Sequence, residues 1–241
     1  MIASKYRVLN RIINSGQNYI SGQEIAESLA VSRTAVNKAV SALREDGYQI
    51  EAINRKGYRL SGDADFLNYG ELMSYLPEER LEKIAIFGNI ISTNVKLHEL
   101  AEEGAKSGQA VIASSQSAGR GRGGSRFDSP ENKGVYMSYL IIPGEDMDIG
   151  EVTSKTASFV DNILSSSFGK ERIKTEAPGD VLIDGRKICG ILTEALIETE
   201  SSFCRYLMTG IGLRPLEGVN RAKFVADIIK KMDEEFKSLN L

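Results

Sequence analysis

Apolar positions along the first sixty residues recur at two different spacings, and the change from one to the other separates helices from a hairpin. In SGQEIAESLAVSRTAVNKAVSALREDG, Ile25, Ala26 and Leu29 make one inner face, while Ala35, Val36, Ala39, Val40 and Leu43 make another. Ser21 with Glu24 three residues on, and Ser32 just before Arg33, are residue types that cap helix N-termini. The spacing therefore predicts two short helices meeting at a tight turn around Ala30 and Val31. After Gly47 the run YQIEAINRKGYRL becomes β-rich on both sides of Asn54-Arg55-Lys56-Gly57, which predicts a hairpin with a cationic tip. Helix, turn, helix and hairpin in that order outline a winged helix.

A short acidic break, SGDAD at Ser61 to Asp65, reads as a boundary, giving expected domains of 1–62 and 63–241. Beyond it strand-like and helix-like segments alternate. NYGELMSYL reads as a short helix, KIAIF as a strand, STNVKLHELAEEG as a helix and QAVIASS as a strand. GVYMSYLIIP, RIKTEA, DVLIDGRKICGILTEALIE and SFCRYLMTGIGL supply further strands, with EVTSKTASFVDNILSSSF and a closing segment from Asn220 to Leu239 as helices. The expected class is α+β, a winged helix–turn–helix followed by a mixed α/β domain. Asp184-Gly185 is a tight-turn signal, so Arg186 and Lys187 emerge from a hairpin.

Composition narrows the picture little, but charge does. Of 241 residues 41% are hydrophobic, which suits a globular chain, and no apolar run reaches about 18 residues. The opening MIASKYRVLNRII has charges among its apolar positions, so neither a signal peptide nor a membrane partner is expected, and the expected location is the cytoplasm. Cys189 and Cys204 lack metal-ligand spacing and read as buried reduced thiols; no metal site is expected. His98, the one histidine, lies in an amphipathic segment and reads as structural. Net charge is −3, yet residues 1–62 hold nine Lys/Arg against five Asp/Glu, and the remainder twenty-one against twenty-eight. A polyanion partner is implied for the first part only.

The second helix supplies the chemistry such a partner needs. Ser32, Arg33, Thr34, Asn37 and Lys38 lie on or near the face opposite its apolar stripe, and Arg55 and Lys56 sit at the hairpin tip. Short polar and cationic side chains there suit base edges and phosphates of double-stranded DNA. A second cationic stretch, SSQSAGRGRGGSRFDSP, interleaves Gly119, Gly121, Gly123 and Gly124 with Arg120, Arg122 and Arg126. Its composition alone leaves three readings: a linker, a nucleic-acid tail, or a loop closing on an anionic ligand.

The order STN, QSAGRGR, SP followed by GVYMSYLI, PGDVLIDGRKICGIL and GIG, behind a winged helix, resembles the biotin operon repressor and biotin protein ligase family (BirA type). That resemblance implies a class II synthetase-like central domain that binds biotin and ATP, makes biotinyl-5′-adenylate and transfers biotin to a carrier protein. It also implies homodimers that bind an operator when the adenylate is present. On the ligand side it points to Ser92, Thr93, Asn94, Gln116, Gly119, Arg120, Gly121, Arg122, Phe127, Asp180, Lys187 and Gly190. Lys187 and Arg122 would be the catalytic cations if the ligase is active.

Departures gather on one subsite. Where the family has Lys-Trp-Pro-Asn-Asp, this chain has Glu176-Ala177-Pro178-Gly179-Asp180; its Gly-Ile-Asn is Gly212-Leu213-Arg214, and its adenine-stacking tryptophan is Phe127. No C-terminal SH3-like domain is expected within 63–241. The preferred expectation is a ligand-responsive transcriptional regulator that binds operator DNA and either a small carboxylate (biotin, lipoate or a relative) or biotinyl-5′-adenylate, its ligase activity lost. The alternative is an active bifunctional ligase and repressor using ATP, Mg²⁺ and a biotin carboxyl carrier protein. A bare interaction module is the third reading, and the intact polar helix face and GRGR argue against it.

Overall fold

The computed structural model describes residues 2–62, 66–143, 147–176, 178–198 and 204–236. It divides into two compact units at Glu82/Lys83. The expected break at 62/63 lies twenty residues earlier, and part of it, residues 63–65, is outside the described residues.

The first unit opens with α1 (Ser4–Asn14), which the sequence reading did not assign; its signal was the helical spacing of buried Val8, Leu9 and Ile12. α2 (Gly22–Leu29) and α3 (Arg33–Glu45) follow as expected. Ser21 Oγ accepts from Glu24 N and Ser32 Oγ from Ala35 N, caps worth about 1 kcal/mol each. The turn between them is made by Ala30 in the left-handed region, φ 53°. β1 (Ile50–Ile53) and β2 (Gly57–Leu60) form the antiparallel wing. α4 (Tyr69–Leu72) and α5 (Glu78–Leu81) stay with this unit because α1 holds them. Asn10 Nδ2 donates to Ser74 Oγ at 3.0 Å, Arg7 pairs with Glu78, and a Cβ on Gly70 would stand 2.6 Å from a methyl of Leu9.

The second unit is a seven-stranded sheet in the order β3-β4-β5-β9-β8-β7-β6. Its elements in chain order are β3 (Ile84–Ile90), α6 (Thr93–Glu102), β4 (Ala110–Gln116), β5 (Val135–Ile141) and α7 (Ile149–Phe168). β6 (Ile173–Glu176), β7 (Asp180–Ile183), β8 (Arg186–Ile197), β9 (Cys204–Leu213) and α8 (Arg221–Phe236) complete it. Among the described strands only β3 and β4 pair in parallel, with α6 as their crossover. α6 covers one face through Leu97 on Val111 and Leu140, and α7 and α8 cover the other. β5, sandwiched between these layers, buries all seven of its residues. That is why VYMSYLI reads as a continuous apolar run with little alternation. The last helix ends at Phe236 among the described residues; positions 237–239 of the expected span lie outside them. Cys189 is fully buried, its thiol pushed up to about 12 by that burial, whereas Cys204 is half-exposed at the start of β9 and departs from the buried reading.

Candidate functional site

Four distant stretches of the second unit meet at one cleft of about 500 Å³, its open mouth included. The N-terminus of α6 contributes Ser92, Thr93 and Asn94, β4 contributes Gln116, and the loop after it Arg120, Gly121, Arg122 and Phe127. β7 and β8 add Asp180, Lys187, Gly190, Ile191 and Leu192, and β9 adds Gly210, Ile211 and Gly212. Eleven of the twelve ligand-side residues named from the sequence thus line this cleft; Gly119 does not. A Cβ on Gly119 would stand 2.5 Å from the Phe127 carbonyl oxygen, so its lack of a side chain serves the loop's own closure.

The floor has a simple origin. Register places Asp180 opposite Gly190, Gly190 opposite Gly212 and Gly212 opposite Tyr136, a row across β7, β8, β9 and β5. The two glycines leave a bare strip on which the Phe127 ring lies. A Cβ on Gly212 would come within 2.6 Å of that ring, whose edge meets Tyr136 at 6.4 Å between centroids. The Gly-Arg stretch is thereby folded onto the sheet. Phe127 N donates to Gly119 O at 2.9 Å, Gly121 N donates to Ser125 O at 2.7 Å, and the chain turns tightly through Arg122–Gly124, with Gly123 and Gly124 at positive φ.

At one end of the cleft the cations are held by a carboxylate. Asp180 bridges Arg122 at 2.5 Å and Lys187 at 2.8 Å, all three partly exposed. Arg122 Nη1 is buried without a hydrogen-bond partner, and Arg120 has no ion-pair partner among the described residues. At the other end lies a chain of amides and hydroxyls that ends on a carboxylate. Gln116 Oε1 accepts from Thr93 N at 2.8 Å and Thr93 Oγ1 at 3.2 Å, and its Nε2 donates to Ser129 Oγ at 2.8 Å. Ser138 Oγ lies 2.7 Å from Thr93 Oγ1 and 2.5 Å from Asn94 Oδ1, and Asn94 Nδ2 donates to Glu194 at 2.6 Å. Ser129, Ser138, Glu194 and Gly210 were not named from the sequence. A buried serine inside VYMSYLI and a carboxylate inside GILTEALI were the available signals.

Two of the departures, Glu176 and Arg214, fall elsewhere, while Phe127 lies in the cleft lining. Glu176 is exposed, 3.7 Å from Lys174, and Arg214 is exposed; neither lines the cleft. Ala177 lies outside the described residues. His98 faces Tyr206, 3.0 Å from its hydroxyl, and is not part of the lining.

In the first unit all seven residues named for DNA, Ser32, Arg33, Thr34, Asn37, Lys38, Arg55 and Lys56, are exposed. Arg33, Asn37 and Arg55 border an open groove with Ser21, Gln23 and Tyr58. Gln23 and Tyr58 were not named from the sequence.

A winged helix–turn–helix unit and a sheet unit whose cleft joins a polar floor to paired cations define a class, a ligand-site domain carried with a helix–turn–helix. The chain belongs to the biotin/lipoate A/B protein ligase family, whose model matches residues 87–211, more than half of it; an HTH domain model matches 5–59. The bifunctional ligase/repressor BirA of Bacillus subtilis is 36% identical over 202 residues, covering 83% of this chain and 61% of the relative. The Escherichia coli protein of that name is 31% identical over 195 residues, 80% of this chain and 59% of its own. The chain therefore spans about three fifths of these relatives. Biotin protein ligase from Aquifex aeolicus in complex with biotin and ATP shares the fold of the second unit, with TM-score 0.52 and 21% identity over 64% of this chain and 70% of that one. No helix among the described residues is long and apolar enough to cross a membrane.

Proposed function

We propose that the chain is a ligand-responsive DNA-binding regulator, in which the second unit binds biotin or a related small carboxylate and thereby sets the affinity of the winged helix for an operator. One observation carries the ligand assignment: Arg122 presents a buried, unpaired Nη1 beside Lys187 and unpaired Arg120, at the end of a cleft whose other end is lined by amides and hydroxyls. A ureido ring suits Ser92, Thr93 and Gln116, and a carboxylate or acyl phosphate suits the cations. The names of the relatives support both halves of this reading. Exposed Arg33, Asn37 and Lys38 on α3, with Arg55 and Lys56 on the wing, suit phosphate and groove contacts. One recognition helix carries a modest set of contacts, so we assign a homodimer on a palindromic site.

A second reading, an active biotin ligase, is favoured by one fact: Glu176 and Arg214 stand outside the cleft lining, so their departures do not themselves spoil it. Arg122 and Lys187 would then neutralise charge as it develops on the acyl phosphate, while ATP with Mg²⁺ supplies the adenylyl group. The deciding experiment is calorimetric titration with biotin, alongside mass spectrometry of protein incubated with biotin, ATP and Mg²⁺. Biotin binding without biotinyl adenylate is the expected result; adenylate would establish the second reading, and neither signal would remove biotin as the ligand.

A further inference from the structure

Asn37, at the exposed centre of α3, is held from outside its own helix. Tyr58 of β2 donates its hydroxyl to Asn37 Oδ1 at 2.5 Å. The phenol has little freedom to do otherwise. Tyr58 exchanges two backbone hydrogen bonds with Ile20, at 2.9 and 2.8 Å, an isolated bridge that ties the segment entering α2 to the wing. Its ring packs against the start of α2, where a Cβ on Gly22 would stand 3.2 Å from Cε2. Gly57, φ +114°, precedes it with Ile20 O in the place a Cβ would take, 2.0 Å away, so the chain has one path into Tyr58.

A rigid phenol with one rotatable hydrogen is a strong donor, and an amide oxygen is the better acceptor of the two amide ends. With Oδ1 turned to the wing, the Asn37 amide offers its NH₂ group to whatever fills the groove. An asparagine reading adenine aims both ends at the base edge, Oδ1 at N6–H and Nδ2 at N7; one whose Oδ1 is aimed at the wing hydroxyl turns its NH₂ edge to the base, which matches guanine N7 and O6. We propose that Tyr58 is a positioning residue for base readout, fixing Asn37 so that it reads a guanine acceptor edge and discriminates against adenine. This rests on the reading that the winged helix binds DNA.

The test is selection of duplexes with a randomised core by the full-length protein with biotin, ATP and Mg²⁺, repeated with Asn37→Ala and Tyr58→Phe. Tyr58→Phe keeps the ring on Gly22 and removes only the hydroxyl. The wild type should enrich a site with one guanine per half-site whose preference Asn37→Ala abolishes. Tyr58→Phe should relax guanine over adenine at that position alone by about fivefold or more, with the other positions keeping their preferences. An identical site from Tyr58→Phe, or adenine or cytosine at the position lost with Asn37→Ala, overturns the proposal. If the wild type binds unselected duplex and Asn37→Ala changes no position, the inference falls and DNA binding stands. If the wild type retains no duplex at all, both fall.

Discussion

The outer face of α3 and the cleft under Phe127 both gather cations, yet, Arg120 apart, they keep them in opposite states. Arg33, Lys38, Arg55 and Lys56 stand in solvent without ion-pair partners among the described residues, while Arg122 and Lys187 share Asp180. A polyanion binds by releasing counterions from its own atmosphere, so its receptor gains from cations that are free and hydrated. A small anion must be chosen among many. Its receptor gains from cations already oriented and partly desolvated, with a resident carboxylate to hold them. On the proposed function, these two ways of keeping a positive charge separate a surface for a polymer from a pocket for a small molecule.

That contrast is broken most severely at the wing. Gly57→Ala forces a Cβ into Ile20 O, so duplex affinity in gel shift should fall more than about a hundredfold and the first unit should lose roughly 3 kcal/mol in urea unfolding. Biotin affinity by calorimetry should stay as it was. Lys187→Ala removes one of the two cations on Asp180, and biotin affinity should drop roughly thirtyfold with ligand-free duplex binding unaltered. Arg33→Ala should weaken duplex binding about tenfold and lower the slope of log affinity against log salt by about one. A matching change in that slope with Lys187→Ala would erase the distinction between the two regions. Smallest is Glu176→Lys: outside the cleft lining, it should alter biotin affinity less than about threefold despite reversing a charge.

The two regions also differ in how far they can be read in advance. α2, α3 and the wing are local. Caps Ser21 and Ser32, the Val36–Val40–Leu43 stripe and the tip at Asn54-Arg55-Lys56 lie within forty residues, so pattern alone yields the face. The cleft is not local, since residues 92–94, 116–127, 180–190 and 210–212 meet only through strand order. Composition left the Gly-Arg stretch undecided among three readings, and the family resemblance alone gathered its partners. What escaped both approaches depends on register or on side chains crossing between elements. The Asp180–Gly190–Gly212 row that seats Phe127 needs the strand offsets. The Tyr58–Asn37 hydrogen bond needs the wing folded back on α3. The boundary moved because α1, read only for its charges, proved to be the helix that grips α4 and α5.

The wholly buried strand β5 has a temporal consequence. It pairs with β4, which the ribosome has already released, and with β9, which emerges only after α7 and three further strands. Until β9 arrives, one edge of this wholly buried strand is unpaired, and the glycines that seat Phe127 have not yet been brought together. Nascent chains should therefore complete the winged helix early and the cleft last, through long-range closure that is slow and exposed to aggregation. During that interval a chain would carry the finished α3 face and wing without the cleft that, on the proposed function, governs them.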